Sequence, residues 1–400
     1  MAITMKQNAS QVQRKGLPPW AYHNQELYEL ECDLLIRRHW QVAGHIANLP
    51  AVGDYLTFDT VGERALIIRD KDNQIRAFHN LCRHRGSRLV TETQGHCPGS
   101  LVCPFHAWSY HLDGRLKRPA KPETLPELDP VEWGLKRLEL EIWHGFIFVR
   151  FQAGPQPSMA TIMARVEPLL VNYPLASLVQ GDAITQQTSV AVNWKAIRDV
   201  DNEGYHVPKA HPSLMELYGT DYHDGDWQQG TSLSVGKITD KKARKWSVGR
   251  YKELVQKLAA PWSDIPKQWL YVGVFPNFVL GFYPDSVTFY QEIPVSLNST
   301  RMRGGTYAYG NEDRTLKAAR YLSGRIDQVT FEEDKLLTIW TNEAMQSSAF
   351  DGTMLSDLEA GVWQYHDLIR GQMPVTTLTQ APVAGTLKEV NHAMNTAKTY

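Results

Sequence analysis

Two pairs of cysteine and histidine form the most specific chemical pattern in the sequence. One residue separates Cys82 from His84, two separate Cys103 from His106, and residues 85–102 lie between the pairs. Each pair lies in a predicted loop beside a β-like run, so two loops can present one sulfur and one ring nitrogen each to a cluster. A [2Fe-2S] centre held in this way has two thiolates on one iron and two imidazoles on the other, which raises its reduction potential. We therefore predict that these four side chains bind a [2Fe-2S] cluster.

A structural zinc ion is the alternative occupant of the same four side chains. Zinc sites usually pair Cys with Cys and His with His, whereas both pairs here are mixed, so the cluster is favoured. The other cysteines do not extend the pattern. Cys97 and its neighbour His96 are predicted to lie in a surface loop, and Cys32 is predicted to be a small buried apolar side chain. Four cysteines in 400 residues are too few for a disulfide framework.

A second group of metal-ligating side chains begins at Glu203. His206 is three residues further along the chain, and His211 follows five residues later. We predict that Glu203 and His206 share one face of a helix and that Pro208 ends this helix, so that His211 approaches from the next loop. With a carboxylate from elsewhere, the two imidazoles would form the two-histidine, one-carboxylate triad of non-haem Fe(II) oxygenases. Taken alone, the two histidines are as often unrelated surface residues, but the nearby acid and the upstream Cys/His pairs favour the iron site.

The third ligand is predicted to come from a helical segment at residues 314–346. Thr330 and Glu333 fit a capping box, which predicts two helical segments meeting near Thr330 and a Glu333 side chain occupied at the helix N-terminus. Asp334 is the predicted ligand, and Asp327, seven residues earlier on about the same helix face, is the alternative. Asp334 also fits a simple first-turn acid that the helix dipole stabilises.

The hydrophobic periodicity predicts an α+β protein. Residues 24–40 carry Leu27, Leu30 and Leu34 at helical spacing, which predicts an amphipathic helix. Short β-like runs separated by turn residues predict a small all-β domain: 65–69, 75–78 and 142–151. Further along, helical, strand and helical patterns follow one another: 158–173, 268–310 and 314–346.

These patterns divide the chain into four predicted segments. An N-terminal helical segment at 1–44 is expected to pack on the catalytic domain, and 45–155 form the all-β iron-sulfur domain. Residues 156–375 form the mononuclear-iron domain, an antiparallel sheet with helices. Residues 376–400 are polar with little periodicity and are predicted to be a tail.

The overall composition argues against two classes of partner. The chain has 42 basic and 43 acidic residues without long runs of either sign, which disfavours binding to nucleic acid or to an anionic membrane. No segment approaches the about 20 uninterrupted apolar residues of a membrane span, and the N-terminus lacks the apolar stretch of a secretory signal. We expect a cytoplasmic protein.

Several stretches of the sequence resemble the alpha subunits of Rieske non-haem iron oxygenases, from about Leu27 to Pro374. The matching stretches contain both predicted iron sites in the order found in that family: CRHRGSRLV, VCPFHAWSYHLDGRL, NWK and EGYHVPKAHP. The resemblance implies a Rieske [2Fe-2S] domain, a helix-grip catalytic domain and a ring-shaped homotrimer. It further implies that the cluster of one subunit faces the mononuclear iron of the next.

The resemblance also implies partners and a role for Glu203. Electrons would come from NADH or NADPH through a separate flavin and iron-sulfur reductase or a ferredoxin, and the substrates would be O2 and a small organic molecule. Glu203 would be the bridging carboxylate that links His206 of its own subunit to His106 of the neighbouring subunit. Such a carboxylate accepts an imidazole N–H from each centre and orients both ligands. Asp199 lies where many relatives have Asn or an acid, and it is a further candidate catalytic residue.

The bridging position differs from that of aromatic dioxygenases in this family, such as naphthalene dioxygenase, which have aspartate there. Glu203 resembles the carnitine, glycine betaine and stachydrine oxygenases, so we expect hydroxylation or oxidative N-dealkylation of a quaternary ammonium compound. A cation favours an aromatic cage, for which the catalytic half offers these candidates: Trp227, Trp246, Trp262, Trp269, Tyr271, Phe275 and Tyr283. The alternatives are an aromatic-ring dioxygenase acting on an aromatic acid and, in another class, a Rieske electron carrier without an oxygenase site.

Overall fold

The computed structural model describes residues 14–186 and 189–397. Its first part contains, in chain order, α1 (Gln25–Glu31), β1 (Gln41–His45), β2 (Asp54–Thr60), β3 (Glu63–Arg69), β4 (Ile75–His79), β5 (Gln94–His96), β6 (Leu101–Val102), β7 (Ser109–Tyr110), β8 (Leu116–Arg118), β9 (Glu139–Trp143) and β10 (Phe146–Arg150). Its second part contains α2 (Met159–Ile162), β11 (Leu178–Gln180), β12 (Thr185–Gln186), α3 (Trp194–Asp201), α4 (Val207–Ala210), α5 (Pro212–Tyr218), β13 (Tyr222–Asp224), β14 (Thr231–Lys237), α6 (Trp246–Gln256), β15 (Gln268–Val274), β16 (Phe278–Phe282), β17 (Ser286–Ser296), β18 (Ser299–Tyr309), α7 (Arg314–Ala344), α8 (Ala360–Gln372) and α9 (Leu387–Ala397).

Residues 41–150 form the predicted all-β domain as three small antiparallel sheets. The strand orders are β4-β3-β2-β5, β6-β7-β8 and β1-β10-β9. The prediction of one β run at 142–151 is wrong, because the chain reverses between β9 and β10. His144 and Gly145 both have positive φ at this reversal, 45° and 82°. A side chain at position 145 would also collide with His45, whose Nε2 lies 2.2 Å from the place of a Cβ there.

The N-terminal segment packs on the second half of the chain. Leu27 lies in one apolar cluster with Trp194 and Tyr365. The helix is shorter than predicted, because α1 gives way to a π-helical turn at Cys32–Ile36. Strand β1 runs across the predicted boundary after residue 44, and that boundary stays a prediction. The predicted limits near 155 and 375 stay predictions.

An eight-stranded antiparallel sheet organises the described residues of the second half and confirms the α+β architecture. Its order is β11-β18-β17-β16-β15-β14-β13, with β12 paired to β18. One face packs on the β1-β10-β9 sheet, for example through Phe278 against Phe148. Because side chains alternate along a strand, the residues between point to the opposite face. There Trp269 of β15 packs in one cluster with Ile326 of α7, so this helix covers the opposite face of the sheet.

Helix α7 is one unbroken helix, so the predicted meeting of two segments near Thr330 is wrong. Its N-terminus lies much earlier, where the Asp313 carboxylate accepts a hydrogen bond from the N–H of Leu316 at 2.7 Å. The Thr330 hydroxyl donates instead to the carbonyl of Ile326 at 3.1 Å. The capping-box pattern therefore lies inside a helix, and Glu333 is free to point elsewhere.

Two other helical predictions differ from the structure. The predicted helix at 158–173 is reduced to α2 and a 3₁₀ turn at Glu167–Leu169, since Pro168 cannot continue an α-helix. The predicted tail contains α9, whose Leu387 is buried in the same apolar cluster as the N-terminal segment, so it is not a loose tail. Among the described residues, no helix has both the length and the apolar character needed to cross a membrane.

Candidate active site

The two predicted cluster loops have the same backbone closure, although their Cys/His spacings differ. In each loop the N–H of the residue four places after the cysteine donates to the cysteine carbonyl: Gly86 to Cys82 at 2.9 Å and Ala107 to Cys103 at 3.0 Å. Gly86 and Ala107 both have positive φ, 74° and 55°. Two loops of similar backbone conformation therefore present the cysteines and the histidines that follow them.

The thiols of this site are buried, and the imidazoles lie nearer the surface. Cys82 and Cys103 are each 3% exposed, and the rings of His84 and His106 lie 4.8 Å apart. Burial raises the pKa of the Cys82 thiol. Burial acts in the same direction on Cys103, but the backbone N–H groups of Phe105 and His106 donate to its sulfur and lower the pKa below the ordinary value. Donors aimed at a sulfur favour the thiolate that binds iron.

The arrangement of the four side chains fits a two-iron cluster better than zinc. Among the described residues, the one group of at least three metal-ligating side chains that gathers around a single point lies elsewhere. A tetrahedral zinc ion would require such a gathering of Cys82, His84, Cys103 and His106. In addition, Nδ1 of His106 is buried and has no hydrogen-bond partner in the described part of the chain, as expected of an atom reserved for a metal. These residues would hold a [2Fe-2S] cluster.

The remaining cysteines and His96 lie outside the two Cys/His pairs, and the predicted loop position of His96 is wrong. His96 ends strand β5 and is not in a loop; its Nδ1 contacts the Asp54 carboxylate at 2.8 Å. Cys97 is only partly buried, and burial raises the pKa of its thiol. Cys32 is buried in the π-helical turn after α1.

Glu203 and His206 do not lie on a helix, so this part of the prediction is wrong. Helix α3 ends at Asp201, and Glu203 lies in the loop that follows. His206 directly precedes the short helix α4, and Pro208 lies in the first turn of that helix, where proline is tolerated. His211 lies at the junction of α4 and α5. The loop and the junction bring the two imidazoles together.

The sequence Asn193-Trp194-Lys195 fixes α3 to the N-terminal segment. The Asn193 side chain caps α3 by accepting from the N–H of Lys195 at 3.1 Å. Trp194 Nε1 and Lys195 Nζ both donate to the fully buried carboxylate of Glu31 in α1, at 2.9 and 2.6 Å. This motif therefore positions the helix behind the site and does not itself reach the ligands.

His206, His211 and Asp334 converge on one point, as predicted for the mononuclear site. The two Nε2 atoms are 3.0 Å apart, and Asp334 Oδ1 lies 2.8 Å from Nε2 of His211 and 3.4 Å from Nε2 of His206. Ligands at right angles on metal bonds of about 2.1 Å would be about 3.0 Å apart. Asp334 Oδ1 is buried without a well-aligned hydrogen bond, as expected of an oxygen that binds a metal.

Each imidazole is held from behind by a carboxylate. His206 Nδ1 lies 2.5 Å from Glu203 Oε1, and His211 Nδ1 lies 2.8 Å from Glu333 Oε2. The prediction that Glu333 caps a helix is therefore wrong, and this contact was missed. A carboxylate at Nδ1 accepts the ring proton, which leaves the Nε2 lone pair free to bind a metal.

The pKa values show that this pocket favours positive charge. Burial lowers the pKa of His206, but the carboxylates of Asp334 and Glu203 outweigh it and raise the pKa to about 10. Burial acts to raise the pKa of Asp334, yet the two imidazoles lower it below its ordinary value. A divalent cation fits three such ligand atoms, and this donor set is typical of Fe(II) in non-haem oxygenases. His206, His211 and Asp334 would hold this iron.

Two other predicted residues lie outside this group. Asp199 accepts hydrogen bonds from the Tyr22 hydroxyl and from Nε2 of His366, so its contacts tie α3 to the N-terminal segment and α8. Its catalytic role stays a prediction. Asp327, the alternative ligand, accepts a hydrogen bond from the Tyr283 hydroxyl at 3.3 Å and is not part of the converging group.

A cavity of 510 Å³ between the sheet and α7 reaches the three ligands. Of the seven aromatic candidates, Tyr271 and Tyr283 line it. The other five do not: Trp227, Trp246, Trp262, Trp269 and Phe275. Tyr222 and Tyr290 also line the cavity and were missed, since only the strand register shows which face they occupy.

Two family patterns match the chain in the regions of the two sites. Residues 39–130 match the Rieske [2Fe-2S] domain, and residues 175–374 match the ring hydroxylating alpha subunit (catalytic domain). Together, these matches identify a Rieske [2Fe-2S] domain followed by the catalytic domain of a ring-hydroxylating alpha subunit. The chain belongs to the family of ring-hydroxylating alpha subunits.

Individual relatives share parts of the sequence. Over 203 residues the chain is 35% identical to the glycine betaine monooxygenase oxygenase subunit of Pseudomonas aeruginosa PAO1. The matched region covers 50% of this chain and 46% of that protein. Over 221 residues it is 28% identical to the carnitine monooxygenase oxygenase subunit of Escherichia coli K12, which covers 53% and 57%. The chain thus spans about half the length of the curated relatives it matches.

Solved structures share the fold over nearly the whole chain. The quaternary ammonium Rieske monooxygenase CntA in complex with L-carnitine has a TM-score of 0.74 at 22% identity, covering 90% of this chain and 95% of that one. Naphthalene 1,2-dioxygenase with indole bound has a TM-score of 0.71 at 19% identity, covering 96% of both chains.

Proposed function

We propose that this chain is the oxygenase component of a Rieske system that hydroxylates a small organic substrate, preferably a quaternary ammonium compound. One observation carries the proposal: His206, His211 and Asp334 direct three ligand atoms into a cavity large enough for a small molecule. An electron carrier needs no such cavity at a metal site. The cofactors are the Rieske [2Fe-2S] cluster and a mononuclear Fe(II).

The overall reaction consumes one O2 and the two electrons of NAD(P)H. When bound, the cluster supplies single electrons and the ferrous ion activates O2. One oxygen atom enters a C–H bond next to the quaternary nitrogen, and the other leaves as water. The resulting N–C–OH group breaks its C–N bond to give a tertiary amine, an aldehyde and a proton, so the net result is oxidative N-dealkylation.

The charge and lining of the cavity support a cationic substrate. Four tyrosine rings form part of the cavity wall. Five carboxylates also line the cavity: Asp182, Asp201, Glu203, Asp327 and Asp334. Aromatic faces and carboxylates are the groups that bind alkylated ammonium ions. The names of two relatives, a glycine betaine and a carnitine monooxygenase subunit, support the same class.

The electron path is proposed to involve a partner protein and neighbouring subunits. A flavin and iron-sulfur reductase or a ferredoxin would deliver electrons from NAD(P)H to the cluster, in the cytoplasm. In a homotrimer, Glu203 would bridge His206 of its own subunit and His106 of the next. Glu203 Oε1 already contacts His206 Nδ1, and its other oxygen accepts the His206 backbone N–H at 3.1 Å.

The function is tested by supplying purified protein with a surrogate reductase, NADH and candidate substrates. With carnitine, glycine betaine and related betaines we expect NADH and O2 consumption coupled to an aldehyde and a tertiary amine. Turnover of simple aromatic acids alone would assign the chain to ring oxidation. NADH oxidation that no substrate stimulates, with no product formed, would favour the electron carrier.

Glu203→Gln is expected to separate the bridging role from simple support of a ligand. Glu333→Gln is the matched control, because it removes the same kind of contact from the other imidazole. Both changes should weaken Fe(II) binding about tenfold, since each replaces a carboxylate behind a ligand. Only Glu203→Gln should also slow product formation about tenfold or more at saturating iron, measured in single turnovers from a reduced cluster. Equal single-turnover rates in the two variants would remove the bridging role.

A further inference from the structure

Asp327 lies on the wall of the cavity, on the same face of α7 as Asp334. The cavity-lining residues of this helix recur at helical spacing, so they form one stripe: Gly324, Asp327, Gln328, Thr330, Phe331, Asp334, Lys335 and Thr338. Asp327 and Asp334 are seven residues apart, which separates them by about 10 Å along the helix axis. This spacing leaves room between the two carboxylates for one small head group.

Among the described residues that line the cavity, Asp327 is the carboxylate without a cationic partner. Asp201 is paired with Arg198 at 2.7 Å, and Asp182 lies 3.8 Å from the guanidinium of Arg320. Glu203 supports His206, and Asp334 belongs to the converging ligands. The nearby cations are committed elsewhere: Lys335 contacts Glu332 at 3.6 Å, and Arg303 donates to the carbonyls of Val42 and Ala43.

The surroundings of Asp327 are aromatic. The Tyr283 hydroxyl donates to its carboxylate at 3.3 Å, and the rings of Tyr271 and Tyr283 meet edge to face at 5.8 Å. Burial raises the pKa of Asp327 to about 8, although the hydrogen bond from Tyr283 acts in the opposite direction. A buried acid without a counter-ion is costly, and a cation bound beside it restores the ionised form.

We propose that Asp327 is the anionic anchor that binds the ammonium group of the substrate, with Tyr271 and Tyr283 flanking it. This inference rests on the proposed function and names the specificity-determining residue of the same cavity. The ammonium group lies between Asp327 and the metal ligands, so its N-alkyl groups are the nearest substrate carbons to His206, His211 and Asp334.

The test compares betaines with isosteres in which an uncharged carbon replaces the ammonium nitrogen, so that only the positive charge is removed. The probes are glycine betaine against 3,3-dimethylbutanoate, and γ-butyrobetaine against 5,5-dimethylhexanoate. Dissociation constants are measured by calorimetry on iron-loaded wild-type protein and on Asp327→Asn, at pH 8.5, above the pKa of about 8 of the Asp327 carboxyl group. The matched control is Glu343→Gln, which removes one exposed carboxylate from the same helix away from the cavity.

Wild-type protein and Glu343→Gln are expected to prefer at least one cation over its isostere by about tenfold or more. Asp327→Asn should lose that preference while retaining its iron and its affinity for the isostere that lacks the ammonium charge. Asp327→Glu, which keeps the charge, should retain the preference and guards against a folding defect in the amide variant. A full cation preference in Asp327→Asn overturns the anchor and leaves the function standing. Wild-type protein without any cation preference contradicts the quaternary ammonium function itself.

Discussion

Replacing His206 with alanine is expected to abolish substrate-dependent O2 consumption while leaving the cluster intact. The imidazole supplies one of three atoms that converge within 3.4 Å of one another, and two ligands remain without it. Loss of a residue that only supports a ligand costs about 10–100-fold, so loss of the ligand should cost more than about 100-fold in turnover. Iron analysis should show one iron fewer per chain, and the reduced cluster should keep its rhombic paramagnetic resonance signal.

His392→Ala is the matched control for this variant. His392 is exposed on α9, away from both predicted metal sites, so its removal should change neither iron content nor turnover. Unchanged O2 consumption in His206→Ala would mean that the three converging side chains do no chemistry, and the electron-carrier interpretation would then be preferred. Loss of the cluster signal in His206→Ala, with the signal retained in His392→Ala, would instead show that the His206 variant is misfolded.

The candidate ligands of both proposed sites could be selected from the sequence because most of them lie close together along the chain. Cys82 and His84 span three residues, so their spacing alone restricts how they can bind a cluster. The same holds for His206 and His211, even though the predicted helix carrying Glu203 and His206 is a loop in the structure. Asp334 is more distant, but it lies on a long amphipathic pattern that the structure confirms as α7.

The groups around the ligands could not be predicted, because their contacts join distant segments. Glu333 reaches His211 across 122 residues, and a capping pattern that is locally valid assigns it to the wrong task. Tyr222 and Tyr290 face the cavity only through the register of their strands, since a slip of one residue would turn each to the other side. The contacts of Asp199 with Tyr22 and His366 join equally distant segments, so its position in the motif does not reveal them.

Replacing Cys103 with serine is expected to remove the cluster while preserving the mononuclear site. The Cys103 sulfur accepts the N–H groups of Phe105 and His106, which favour a thiolate that serine cannot supply at neutral pH. The variant should lose the red-brown colour, two irons and two acid-labile sulfides per chain. Product formation driven by a reductase should fall by more than about 100-fold, because electrons have no point of entry.

Cys97→Ser provides the comparison that makes this result specific. Cys97 lies between the two Cys/His pairs and is partly buried, but it belongs to neither pair, so the cluster does not need its sulfur. The Cys97 variant should keep the colour, the iron and the sulfide. A Cys103→Ser protein that still carried labile sulfide, or a wild-type protein that carried zinc in place of iron, would contradict the cluster. The distinction rests on geometry: four ligands gathered around one ion suit zinc, whereas four ligands spread in two pairs require two metal atoms joined by sulfide.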